Sequence, residues 1–84
     1  MNRWRFSRSP HTLDMIGSLP LEGQLAVMDL IDKLEEDPDF NTQPYGEDTG
    51  GSIRTRTATT GSIIAVVLIN DTTRRITLLQ INSS

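Results

Sequence analysis

The chain has 84 residues, no cysteine and one histidine, with eight lysines and arginines against eleven acids for a formal net charge of −3. That length admits one domain, expected to span residues 1–84, with a modest core and no separate cofactor-binding unit. Without cysteine there is no disulfide framework, thiolate nucleophile or Cys-type zinc site, and His11 alone cannot build a multi-histidine site, so no metal or cofactor is expected.

The longest apolar run, SIIAVVLI at 62–69, falls far short of the roughly 20 residues that span a bilayer. The arginines of MNRWRFSRSP are not followed by an apolar signal core, so a cytoplasmic location with no membrane partner is expected.

At the N-terminus RWRFS (3–7) alternates, with Trp4 and Phe6 on one face and Arg3, Arg5 and Ser7 on the other, which predicts a half-buried strand. Ser9-Pro10 supplies an N-cap and a proline at the first helical position. Leu13 and Ile16 give this helix a short apolar stripe, and Gly17 is placed to end it.

A longer helix follows in LPLEGQLAVMDLIDKLEEDP. Val27, Leu30, Ile31 and Leu34 recur at i, i+3, i+4 and i+7, and Leu21, Leu25 and Met28 are read as broadening that stripe, opposite Glu22, Asp29, Lys33 and Glu36. Asp37-Pro38 stops the helix, because the residue before proline is pushed out of the α region. Glu35, Glu36 and Asp37 crowd its C-terminal end, where the macrodipole opposes negative charge by roughly 0.3–1 kcal/mol each. A cation is therefore expected near them.

Residues 38–51, PDFNTQPYGEDTGG, read as a loop. Strands are predicted over about 52–58, 62–69 and 74–81, joined by TTG and NDTT turns. The middle strand is apolar on both faces, with Ile63, Ala65, Val67 and Ile69 on one and Ile64, Val66 and Leu68 on the other, as a central strand requires. The expected architecture is α+β, in the order βααβββ, with a two-helix hairpin on one face of a small, mainly antiparallel four-stranded sheet. Two helices cover only one face, so apolar surface is left on the other for a partner or a second copy.

Charge is sorted along the chain. Residues 9–48 carry Asp14, Glu22, Asp29, Asp32, Glu35, Glu36, Asp37, Asp39, Glu47 and Asp48 against Lys33, while Arg3, Arg5, Arg8, Arg54, Arg56, Arg74 and Arg75 outside that block face only Asp71. The sorting predicts a basic side on an acidic molecule. In SIRTRT (52–57) Arg54 and Arg56 are two apart, so on a strand both leave the same face. They form either a solvated or ion-paired patch, bridging to Glu35 and Glu36, or an anion site supported by Arg3, Arg5, Arg74 and Arg75. His11 reads as a surface residue of the first helical turn and Tyr45 as a packing residue. The acids from Glu35 to Asp39 read as a solvated helix end, since they lack a fixed ligand geometry.

The order of these pieces resembles the RelE/ParE family of toxins from bacterial toxin–antitoxin operons. The resemblance runs from Trp4 to Ile81. It rests on the aromatic opening strand, SLP (18–20) leading into the long helix, its close at Leu34, Asp37 and Pro38, IRTRT after a glycine-containing loop, the SIIAVVLIND strand and the final ITLLQI.

It implies a cytoplasmic toxin with an antitoxin partner. Ribosome-dependent members of that family cut mRNA, through attack of a ribose 2′-OH on the adjacent phosphate, which needs cations on the developing charge and groups to move protons. Carried over by position, Arg54 matches the family's strand arginine and Arg56 is its neighbour, both assigned to charge stabilisation. Arg3, Arg5, Arg74 and Arg75 are candidate binding residues. The family's further arginine and its Tyr or His after the last strand find no match, since no Arg, Tyr, His or Lys follows Arg75. Arginine stays protonated near neutrality and is a poor proton-transfer group. Three readings follow: an mRNA-cleaving toxin, a non-nucleolytic relative that binds its target as gyrase-directed ParE-like members do, and an interaction module that forms homodimers through its sheet.

Overall fold

A computed structural model describes residues 3–46 and 51–83. Its elements are β1 (Arg5–Phe6), α1 (Pro10–Gly17), α2 (Leu21–Glu36), β2 (Gln43–Pro44), β3 (Ile53–Thr60), β4 (Ile63–Asn70) and β5 (Arg75–Ser83). Glu47 and Asp48 of the acidic block, and with them residues 47–50 of the expected loop, lie outside the described residues.

Ser9 caps α1 as predicted, its side chain accepting from the Thr12 N–H at 3.2 Å. Gly17 does not act as a left-handed terminator: it is the last helical residue, and Ser18 caps the helix in a right-handed conformation. The Ser18 N–H donates to the Asp14 carbonyl and the Leu19 N–H to the Ile16 carbonyl, both at 3.1 Å, which supplies the pairing a left-handed glycine would have given. α2 ends at Glu36, and Asp37 before Pro38 is extended, as the sequence predicts. Asn41 completes this terminus by donating its side-chain amide to the carbonyls of Lys33 and Asp37.

The sheet has five strands in the order β1-β5-β4-β3-β2, with β1 parallel to β5 and the other pairs antiparallel. The expectation of four strands is corrected by β2. This two-residue edge strand sits inside the expected loop, where Pro44 is tolerated because an edge position needs no donor on its outer side. Between β4 and β5 the register shifts: Val67 faces Leu78 but Val66 faces Gln80, leaving Leu79 as a bulge.

The core lies between helices and sheet. Val27, Leu30, Ile31 and Leu34 of α2 cluster with Phe6, Ala58, Ile63, Ala65, Val67, Ile69, Ile76 and Leu78. Gly23 marks the closest approach, since a Cβ there would stand 3.2 Å from both Ile63 Cδ1 and Leu19 Cβ. Leu21, Leu25 and Met28 do not broaden this stripe. They are 69%, 58% and 58% exposed, because at 100° per residue they project roughly opposite the core-facing four.

Candidate functional site

The ladder decides which face each arginine occupies. Residues paired across adjacent strands share a face. Arg54 pairs with Ile69 and Arg56 with Val67, and both apolar partners are 0% exposed, so Arg54 and Arg56 emerge on the helix-covered face. Arg75 pairs with Asn70 on one side and Arg5 on the other, one residue out of phase with Ile69, which puts Arg5 and Arg75 on the uncovered face. The expected basic side is thus split between two faces.

On the covered face Arg54 donates from Nε and Nη2 to Asp71, both at 2.9 Å, and from Nη1 to Asp39. Its guanidinium is held above the ordinary arginine value, first by the hydrogen bond to Asp39 and further by Asp71, against an opposing effect of partial burial. Arg56 donates from Nε to Thr42 Oγ1 at 2.7 Å and from Nη2 to the Thr42 carbonyl at 3.0 Å. Thr42 is buried and its hydroxyl donates to the Pro38 carbonyl at 2.6 Å. Together these bonds fasten the turn after α2 and the β4–β5 turn to β3. The bridge expected from these arginines to Glu35 and Glu36 is made by Arg54 alone, and to Asp39 and Asp71 instead. Glu35 is engaged elsewhere, accepting from the Phe6 N–H at 3.1 Å and pairing with Arg8 at 3.5 Å, which supplies the cation expected at the end of α2.

The uncovered face follows from register as four rows. Arg5, Arg75, Asn70 and Ile53 form the first, and Thr77, Leu68 and Thr55 the second. Gln80, Val66, Thr57 and Gln43 form the third, and Asn82, Ile64 and Thr59 the fourth. Tyr45, whose N–H donates to the Thr55 carbonyl at 3.3 Å, prolongs the second row. None of these positions carries a carboxylate. Arg5 and Arg75 are exposed direct neighbours without an acidic partner among the described residues. Like charges paired across a ladder repel, so an anion lying between them would relieve the repulsion and accept from both forks.

Arg3 is exposed just ahead of β1. Arg74, left-handed at φ 54° in the β4–β5 turn, lies over the Trp4 ring with 4.8 Å between its guanidinium carbon and the ring centroid. His11 is exposed on α1 and Tyr45 is 54% exposed, so Tyr45 is not the packing residue expected from the sequence. No group of three or more His, Cys, Asp or Glu side chains able to hold a metal occurs among the described residues. No helix there is long and apolar enough to cross a membrane. Sequence reasoning did not pair Asp39 or Asp71 with Arg54, nor Thr42 with Arg56. Their signal was present in part, because Asp71 is the lone acid in an otherwise basic half.

Two solved structures share this fold. A chain of the RelBE2 toxin–antitoxin complex from Mycobacterium tuberculosis matches with a TM-score of 0.79 at 18% identity, over 100% of this chain and 94% of that one. A chain of the archaeal RelE–RelB complex from Pyrococcus horikoshii OT3 matches at 0.77 and 16% identity, over 98% and 96%. The chain has a RelE-like fold. No protein-family model matches its sequence, and no curated protein matches it in sequence. The RelE-like fold is therefore carried here by element order, burial pattern and strand pairing. It agrees with the architecture expected from the residues, apart from the additional edge strand β2.

Proposed function

We propose that this chain is the toxin of a toxin–antitoxin pair, and that it acts on translation by binding an RNA phosphate across the uncovered face of its sheet. The observation that carries this reading is the Arg5–Arg75 pair, two adjacent cations without an acidic partner among the described residues, on a face whose described positions carry no carboxylate. Two complexes of toxin with antitoxin share the fold, which supports a cognate antitoxin as partner, covering that face until it is released.

Binding without cleavage is the version the geometry favours. Cleavage needs proton-transfer groups beside the cations. Among the described residues of this face only Tyr45 has an ionisable hydroxyl, and it stands at the β2 edge while Arg5 stands at the β1 edge. Four strand spacings of about 4.8 Å separate those edges, roughly 19 Å, too far to serve one phosphate. In this reading Arg54 and Arg56 contribute by holding the turn that positions β2 and Tyr45, and Arg3 and Arg74 extend the basic rim.

The test is induced expression of the chain alone in a bacterial host, scoring growth and transcript ends together. Growth arrest that disappears in Arg5→Ala/Arg75→Ala, with transcripts intact, is the expected result. Unarrested growth of cells full of soluble protein would remove the toxin assignment. Transcripts ending in 2′,3′-cyclic phosphates would replace binding by nuclease action.

A further inference from the structure

We infer that the outward face of α2 is a second interaction surface, built to receive a basic amphipathic helix from a partner protein. This inference stands on α2 alone and is independent of the function proposed for the sheet. Leu21, Leu25 and Met28 fall at i, i+4 and i+7 and are 69%, 58% and 58% exposed. The apolar requirement of α2 is already met by Val27, Leu30, Ile31 and Leu34 on its other side. A second, solvent-facing stripe on the same helix contributes nothing to the core, and apolar side chains stacked at helical spacing are the anchors of helix-in-groove recognition.

Charge selects the occupant. Glu22, Asp29, Asp32 and Glu36 are all exposed on α2, and the one lysine, Lys33, is paired with Asp29 at 3.2 Å. At 100° per residue, Asp32 falls within the stripe and Glu36, Asp29 and Glu22 follow along one flank. A second copy of the chain would bring this same acidic flank against itself in a two-fold interface, a like-charge arrangement that costs affinity. The acids equally disfavour an anionic membrane surface. A helix with leucine-type anchors at i, i+3 or i+4, and i+7, bordered by lysines or arginines, satisfies both the apolar stripe and its flank.

The test uses the whole chain and three synthetic helical peptides of equal length. One is basic with the apolar anchors in register, one acidic with the same anchors, and one basic with the anchors scrambled around the helix. Binding is read by fluorescence anisotropy, and the contact surface by amide chemical-shift mapping.

The in-register basic peptide is expected to bind at least about tenfold more tightly than either control, the acidic one being repelled by the α2 flank. Its shifts should centre on Leu21, Leu25 and Met28. Leu25→Ser/Met28→Ser should weaken it by about tenfold or more with an unchanged Tm, and Asp29→Asn/Asp32→Asn should flatten its salt dependence. Equal binding of the scrambled peptide, shifts centred on the sheet, or indifference to the Leu25/Met28 variant would overturn the inference. A concentration-dependent dimer with α2 protected would overturn it in favour of a second copy.

Discussion

Arg54 grips Asp71 with two parallel hydrogen bonds, from Nε and Nη2 to the two carboxylate oxygens, each 2.9 Å long. The two residues are 17 apart in sequence, and with Asp39 on the remaining nitrogen the guanidinium joins three separate backbone segments. Arg54→Ala is expected to lower unfolding free energy by about 1–2 kcal/mol, because it removes the charge-assisted fork that ties three segments together, while the solvent-accessible carboxylates of Asp39 and Asp71 are rehydrated. The exposed Lys33–Asp29 pair should cost no more than about 0.5 kcal/mol when broken. Arg54→Lys should fall between wild type and alanine, keeping the charge and losing the fork. Because the folded-state value of Arg54 is raised, its contribution is complete below the ordinary arginine range and is lost only as pH climbs through the raised value. Urea melts at about pH 7 and about pH 9 should therefore give the same wild-type to alanine difference.

Thr42 supports the neighbouring arginine from a buried position, so Thr42→Val keeps the shape while removing the acceptor of Arg56 and the donor to Pro38. A loss of about 1–3 kcal/mol is expected. Hydrogen exchange of the amides in 39–45 should accelerate, since those bonds fasten that segment to β3. An unchanged exchange pattern would mean that the segment is held by something other than Thr42.

Arg5 and Arg75 are exposed, and their joint replacement by alanine should alter stability by no more than about 0.5 kcal/mol. The same change should weaken binding to a single-stranded RNA oligonucleotide. It should also reduce the slope of log affinity against log salt by about 0.7, the loss of the one phosphate the two arginines share. A full salt slope in the double variant would place RNA binding elsewhere on the molecule.

Leu34 and Leu25 lie on one helix with opposite surroundings, at 0% and 58% exposure. Leu34→Ala is expected to cost about 2–5 kcal/mol and, in so small a chain, to leave little cooperative unfolding. Leu25→Ala should stay within about 0.5 kcal/mol of wild type. Thermal melts of the two variants side by side decide the matter.

Much of this fold was readable because its strongest elements repeat at one period. β4 is apolar at every position from Ile63 to Ile69, and it lies in the middle of the sheet. β2 carried no such signal: Gln43 and Pro44 have neither alternation nor β-branching, and only the edge of β3 makes them a strand. For Leu21, Leu25 and Met28 the information was present and misassigned, since their helical angles alone place them away from the Val27–Leu34 stripe. The arginines mark a deeper limit. Spacing establishes that Arg54 and Arg56 share a face, but which face depends on the β3–β4 register, a non-local property no dipeptide repeat contains.

β1 accompanies β5 only at Arg75 and Ile76, and on the side of β5 away from β4 the described residues place no strand beside Thr77–Ser83. A flat ribbon of unmatched amides would invite neighbouring molecules to zip on without limit. The irregularity at Leu79 bends this border and spoils the even spacing such growth requires. Straightening it by deleting Leu79 would be expected to promote polymerisation along this margin.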